Sequence, residues 1–176
     1  VLSPPPVPAA QQRLWMERLL RQARRAGDRG EIPVAAVVLD GEGRCLGWGS
    51  NRRQLDQDPL GHAELVALSQ AAAMRGSWRF NDCSLIVTLE PCPMCAGALV
   101  QARMGRVLFA AGDAKRGGLG GSVDLARHPS AHHRMEVEGG LLEVQATLLL
   151  ADWFRQRRQR RPCGPTGTPA APSPAD

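Results

Sequence analysis

The chain has 176 residues, 43% of them hydrophobic, and its formal charge of +5 rests almost wholly on arginine, Lys115 being the only lysine. That length suits one domain and that apolar share can bury a core, which excludes a wholly disordered chain; no apolar run approaches the ~20 residues a membrane helix needs. Guanidinium groups pair bidentately with phosphate, so nucleic acid is an expected partner.

The opening VLSPPPVPAA is rich in proline and lacks both a basic start and a long apolar run, so residues 1–10 are expected to be a flexible segment with no secretory signal. From Gln11 to Ala26, Leu14, Trp15, Leu19 and Ala23 recur at helical spacing with arginines on the other side, and Gly27, Gly30 and Pro33 mark the helix end. The apolar run Val34–Leu39, the turn Asp40-Gly41 and the stretch Arg44–Trp48 predict a buried hairpin. Leu55–Gly61 reads as a polar loop and His62–Arg75 as a helix closed by Gly76.

Ser84–Leu89 predicts a buried strand, Pro93–Arg103 a helix and Arg106–Ala110 a further strand. The glycine-rich stretch Gly112–His133 is expected to be a long irregular loop, which in a compact domain is often functional. Met135–Glu138 suits a last strand and Leu141–Arg160 a last helix, in which Trp153 and Phe154 are expected to be core anchors. The domain then spans 11–161, and 162–176 is a low-complexity, flexible tail. Short apolar strands alternating with helices argue for an α/β layer fold, and the hairpin argues for a mixed sheet of roughly five strands.

The chemistry centres on Glu90-Pro91-Cys92-Pro93-Met94-Cys95. Proline favours the first helical position, so Pro93 makes Cys92 the N-cap and Cys95 the third helical residue. Both sulfurs then sit at the positive end of a helix, where thiolates are favoured. Alone, such a pair is a redox couple or half of a metal site. The third ligand is expected from His62-Ala63-Glu64, which opens the preceding helix 30 positions earlier. Two cysteines and one histidine with an open fourth position suit a catalytic zinc, Zn2+, rather than a structural one. Glu64 is the expected proton-transferring carboxylate, because two thiolates blunt the metal's acidifying effect. The five cysteines, an odd number, make no disulfide framework and suit a reducing compartment, expected to be the cytoplasm; Cys45, Cys83 and Cys163 read as inert thiols.

HxE followed by PCxxC is the signature of zinc-dependent nucleoside and nucleobase deaminases, which the chain resembles from Gln11 to Arg161. Glu31-Ile32-Pro33-Val34, Gly49-Ser50-Asn51-Arg52, TLEPCPMCAGAL, Gly105-Arg106-Val107, Asp113-Ala114-Lys115, His128-Pro129, His133-Arg134 and the run Trp153–Arg158 are similar to the bacterial tRNA adenosine deaminases. Ala35, His132 and Trp153 depart from that family's usual residues.

The resemblance implies a three-layer α/β/α, cytidine-deaminase-like fold, a homodimer, and deamination of the wobble adenosine of an arginine tRNA to inosine. It implies His62, Cys92 and Cys95 as zinc ligands and Glu64 as the proton shuttle. It further implies Asn51 on the flipped adenine, Val34 and Ala63 lining the base pocket, and Asp113 at a ribose. Read alone, Asn51 is equally a turn residue, Val34 a core valine and Asp113 a turn cap. Lys115, Arg116, Arg155, Arg157 and Arg158 are the expected contacts to the RNA backbone of the anticodon arm. Rival readings are a deaminase of free guanine or cytosine or of a mononucleotide, and a non-catalytic zinc-stabilised RNA-binding module. The latter leaves Glu64 without a task.

Overall fold

A computed structural model of the chain describes residues 7–159. Ten elements follow in order: α1 (Ala9–Asp28), β1 (Ala35–Leu39), β2 (Cys45–Ser50), α2 (Arg53–Asp56), α3 (Ala63–Arg75), β3 (Ser84–Leu89), α4 (Pro93–Gln101), β4 (Arg106–Ala111), β5 (Glu136–Gly139) and α5 (Glu143–Gln159). The five strands lie in the order β2-β1-β3-β4-β5. β1 runs antiparallel to both β2 and β3, whereas β3, β4 and β5 are parallel, so the sheet is mixed as expected.

Side-chain alternation sorts the sheet into two cores. Ala36, Val38, Leu85, Val87 and Val107 face α3 and α4, where Ala63, Ala67, Ala71, Ala96 and Leu99 meet them. Their neighbours Ala35, Val37, Leu39, Ile86, Leu108 and Ala110 face Met16, Leu19 and Ala23 of α1 and Ala146 of α5. Every residue of β1 is fully buried, which explains why its sequence is continuously apolar rather than alternating. Each large side chain removed from water here contributes about 1.5–3 kcal/mol. The result is the expected α/β/α layering.

The alanine-rich face of α3 packs closely on β2. A Cβ added at Gly49 would lie 2.7 Å from the Val66 side chain and 3.0 Å from the Ala63 carbonyl, so only glycine permits this approach. The seating fixes the start of α3, where the site is built.

A parallel pair needs a crossover of a dozen or more residues, usually a helix. Between β4 and β5 that crossover is residues 112–135, which form no helix. Leu119, Ala126 and Met135 of this loop enter the α3/α4 core, so the loop completes that layer in place of a helix.

The termini of several elements differ from expectation. α1 continues through Gly27, whose lack of a side chain admits the Trp153 ring; the indole Nε1 donates to the Gly27 carbonyl at 3.1 Å. Trp153 therefore anchors α5 to α1. Phe154 does not anchor: it is 42% exposed and meets Trp153 edge-on, with ring centroids 5.0 Å apart. One residue of helix turns it about 100° away from the buried stripe. The expected polar loop 55–61 begins in a short helix, α2. The expected flexible segment 1–10 is corrected where it is described: Val7 is buried in the core beside α1, Pro8 is the N-cap of that helix and Ala9 and Ala10 form its first residues, because the small apolar residues after the prolines favour helix. Residues 1–6, the expected tail 162–176 with Cys163, and the predicted termini Arg160 and Arg161 lie outside the described residues. Among the described residues no helix is long and apolar enough to cross a membrane.

Candidate active site

Cys92 is the N-cap of α4 in extended geometry (φ −68°, ψ 169°), with Pro93 at the first helical position. The proline excludes helical geometry for the residue before it, which turns the Cys92 side chain out of the helix direction. His62 is likewise the extended N-cap of α3 (φ −82°, ψ 146°). Neither side chain caps its own helix, so both are free to face each other across the layer. His62 Nδ1 lies 3.7 Å from Cys92 Sγ and 3.5 Å from Cys95 Sγ.

These spacings can be tested against a metal. Zinc–sulfur and zinc–nitrogen bonds at a tetrahedral angle put sulfur and nitrogen about 3.6 Å apart. The three donor atoms lie within 4.8 Å of one another and form the one such cluster among the described residues. The set fits zinc and leaves one tetrahedral position free. His132 and His133 take no part: His133 Nε2 bonds the Met104 carbonyl at 2.8 Å instead.

The donors are electrically linked before any metal arrives. The Cys92 thiol is pushed down to about 4, first by a hydrogen bond from Cys95 and then by His62, against the opposing effect of burial. Cys95, the donor in that pair, is correspondingly raised, and burial adds to the effect. His62 is raised as well, chiefly by its bond to Cys92. The pair is thus a thiolate and a thiol sharing one proton.

Glu64 enters α3 two residues after His62 and is 4% exposed. Burial pushes its carboxyl up to about 7, with the Cys92 thiolate adding to the rise and His62 and the Cys95 thiol opposing it. A carboxyl near neutrality can both take and give a proton at working pH.

Asn51 lies beside this corner. Its main-chain N–H donates to the Val34 carbonyl at 3.1 Å, and its Oδ1 accepts from the Ala63 N–H at 3.0 Å. The amide oxygen therefore satisfies the first free N–H of α3, the role of a turn residue, while bringing Val34, Asn51 and Ala63 together next to His62 and Glu64. Val34 is 5% exposed and belongs to the core on that side. Asp113 acts as a turn cap: its Oδ1 accepts from the Lys115 and Arg116 N–H groups, each at 3.0 Å. Those two cations stand exposed on the 112–135 loop.

The remaining cations lie on α5, in the opposite layer. Arg155 pairs with Asp152. Arg157 donates to the Gly30 carbonyl at 2.9 Å and stacks over Trp153 at 5.0 Å. Arg158 is exposed.

Two carboxylates escaped the sequence reading. Glu31 Oε1 accepts from the Gln54 and Leu55 N–H groups at 2.9 Å each and thereby holds α2 in place. Glu90, 4% exposed, accepts N–H groups from the loop that follows β4. Its position immediately before Pro91-Cys92 was the visible signal, but a corner residue and a loop anchor look alike in sequence.

A family model for MafB19-like deaminases matches residues 10–158. A tRNA-specific adenosine deaminase of Bacillus subtilis is 37% identical over 152 residues, covering 86% of this chain and 93% of the relative. A tRNA(Ile)-lysidine synthase of Deinococcus radiodurans is 42% identical over 172 residues, 96% of this chain; the chain spans only 29% of that relative's length. Among solved structures, one from work on A-to-I editing by tRNA:A34 deaminases at the wobble position of transfer RNA superposes with a TM-score of 0.75. It is 36% identical, covering 78% of this chain and 99% of that one.

Proposed function

The chain belongs to the deaminase family that includes the bacterial tRNA-specific adenosine deaminases, and from that premise we propose that it converts the wobble adenosine of an arginine tRNA to inosine, acting as a homodimer in the cytoplasm. The observation that carries the reading is the juxtaposition of a buried, near-neutral Glu64 with a three-donor corner of His62, Cys92 and Cys95. A closed structural site needs a fourth ligand and no buried carboxyl; this corner has the reverse.

His62, Cys92 and Cys95 would hold one zinc per subunit, which when bound supplies the acidity needed to make a nucleophile from water near neutral pH. Glu64 takes the proton released as water adds to C6 of adenine and delivers it to N1. It then takes the proton of the new C6 hydroxyl and passes it to the exocyclic nitrogen, so that the C6–N bond breaks, ammonia leaves and C6 becomes the carbonyl of inosine. Asn51 keeps its Oδ1 on the α3 N-terminus and turns its amide NH2 to the base. Val34 and Ala63 bound the base on its apolar side. An adenosine already unstacked in a single-stranded loop enters at low cost, and Asp113 offers its carboxylate edge to a ribose hydroxyl.

Two measurements test this. The zinc-loaded protein is incubated with an anticodon stem-loop bearing wobble adenosine and, separately, with free adenine, guanine and cytosine. Inosine in the RNA is expected; ammonia from a free base alone would sink the proposal in favour of a nucleobase deaminase. Glu64→Ala should keep its zinc and lose at least ~10²–10⁴-fold in turnover. Surviving turnover would remove Glu64 from its role.

A further inference from the structure

Glu90 is a buried carboxylate whose partners are all main-chain. Its Oε2 accepts from the Asp113 N–H at 2.9 Å, and its Oε1 accepts from Leu119 at 3.0 Å and Gly121 at 2.8 Å. Among the described residues no ion pair reaches it. Removing a carboxylate from water without a cation is unfavourable unless several directed donors replace the lost hydration. Here the donors come from both ends of one loop segment, 113–121, so the carboxylate acts as the hub around which that segment is wound.

The winding is tight and it abuts the metal corner. A Cβ at Gly117 would overlap the Glu90 carboxylate, and one at Gly121 would lie 2.7 Å from its Oε2. A Cβ at Gly118 would come within 2.9 Å of Cys92 C and Pro93 Cα, and the Gly118 N–H donates to the Pro91 carbonyl at 2.8 Å. The segment therefore rests on the start of α4, the helix that carries both cysteines. Its outer turn presents Asp113, Lys115 and Arg116 to solvent, with the turn held by the Asp113 carboxylate.

We infer that Glu90 is a positioning residue for substrate recognition: it clamps the 113–121 segment onto the cysteine-bearing corner so that the Asp113-Lys115-Arg116 rim is held at a fixed place beside the reacting base. It neither touches the base nor holds the metal. Because a loop of this length without secondary structure has many alternative conformations, fixing it in advance lowers the entropy lost when RNA binds. Loss of the clamp should weaken RNA binding more than it slows the bound reaction, which is a KM effect rather than a kcat effect.

The inference rests on the proposed action on tRNA, and its test separates the two. Glu90→Gln keeps the size but turns an NH2 toward at least one of the three N–H donors. Gly117→Ala keeps the carboxylate and pushes the segment off it, which secures the test if Glu90→Gln fails to fold. Amide hydrogen exchange at 113–121, on the zinc-loaded proteins, reads the clamp without any substrate and should quicken by about tenfold or more in each variant, with exchange in β1 and β3 unchanged. With the anticodon stem-loop, KM should rise about tenfold while kcat falls less than about threefold and zinc content stays at the wild-type level. Unchanged exchange at 113–121 would overturn the clamp. Faster exchange with a fall in kcat and no rise in KM would overturn its role in recognition. A wild-type protein inactive on the stem-loop would instead defeat the tRNA reading, leaving the exchange result to stand or fall by itself.

Discussion

At the scale of single residues, two of the three donor side chains, Cys95 and His62, are held toward their protonated forms, and a metal must displace those protons. The Cys92–Cys95 pair shares one thiol proton, and His62 is held protonated to higher pH than an ordinary imidazole. Zinc addition to the metal-free protein in weakly buffered solution should therefore acidify it by about one to two protons per subunit near neutral pH. Because a raised His62 competes with the metal over a wider range, zinc affinity should fall between pH 8 and pH 6, by about tenfold per pH unit for each proton displaced. A chelator competition at the two values measures this, and a flat profile would show that the donors are already deprotonated. The donor set was legible in the sequence because each ligand's direction follows from a helix start. Proline at position 93 dictates where Cys92 points, and spacing then dictates Cys95. The roles of Asn51 and Asp113 were not legible, since a short polar side chain can satisfy a neighbouring N–H, a ligand or both, and only the fold reveals that both residues already hold turns.

Elements with a repeating apolar pattern were read well. β3 spans Ser84–Leu89 as its continuous apolar run predicts, and the other strands and long helices begin and end within a few residues of expectation. α2 was missed because four residues carry no period; it is ordered by the distant Glu31 carboxylate, which local sequence does not disclose. The hairpin turn between β1 and β2 shows the same dependence on one carboxylate. Asp40 Oδ1 accepts from the N–H groups of Glu42 and Arg44, each at 2.9 Å, and Oδ2 accepts from the Arg44 guanidinium at 2.7 Å. Burial opposes its ionisation, but these donors outweigh that effect and hold the carboxyl below its ordinary value. A depressed folded-state pKa stabilises the fold above the unfolded value, about 3.9, and that contribution is lost as pH falls through the folded value. Asp40→Asn should therefore lower stability at pH 7 by about 1–2 kcal/mol, and the difference from wild type should shrink toward pH 3. Urea midpoints at the two pH values report it; a difference independent of pH would mean the charge is not what matters.

Over the whole molecule, the formal charge of +5 did not locate a binding face, because arginines line several elements. The fold separates them. Lys115 and Arg116 stand on the loop beside the cysteine corner, whereas Arg155 and Arg157 have partners within the protein. If Lys115, Arg116 and Arg158 contact phosphates, neutralising each one should reduce the slope of log KM against log salt for the stem-loop by about 0.7–0.9. An unaltered slope would exclude that residue from the contact. The layering has a separate consequence. α1 and α5, the first and last helices described, share one side of the sheet, and the helix starts that carry His62 and Cys92 occupy the other. A change packed between α1 and α5 can therefore reach the metal corner only through the sheet, which insulates the chemistry from the outer layer.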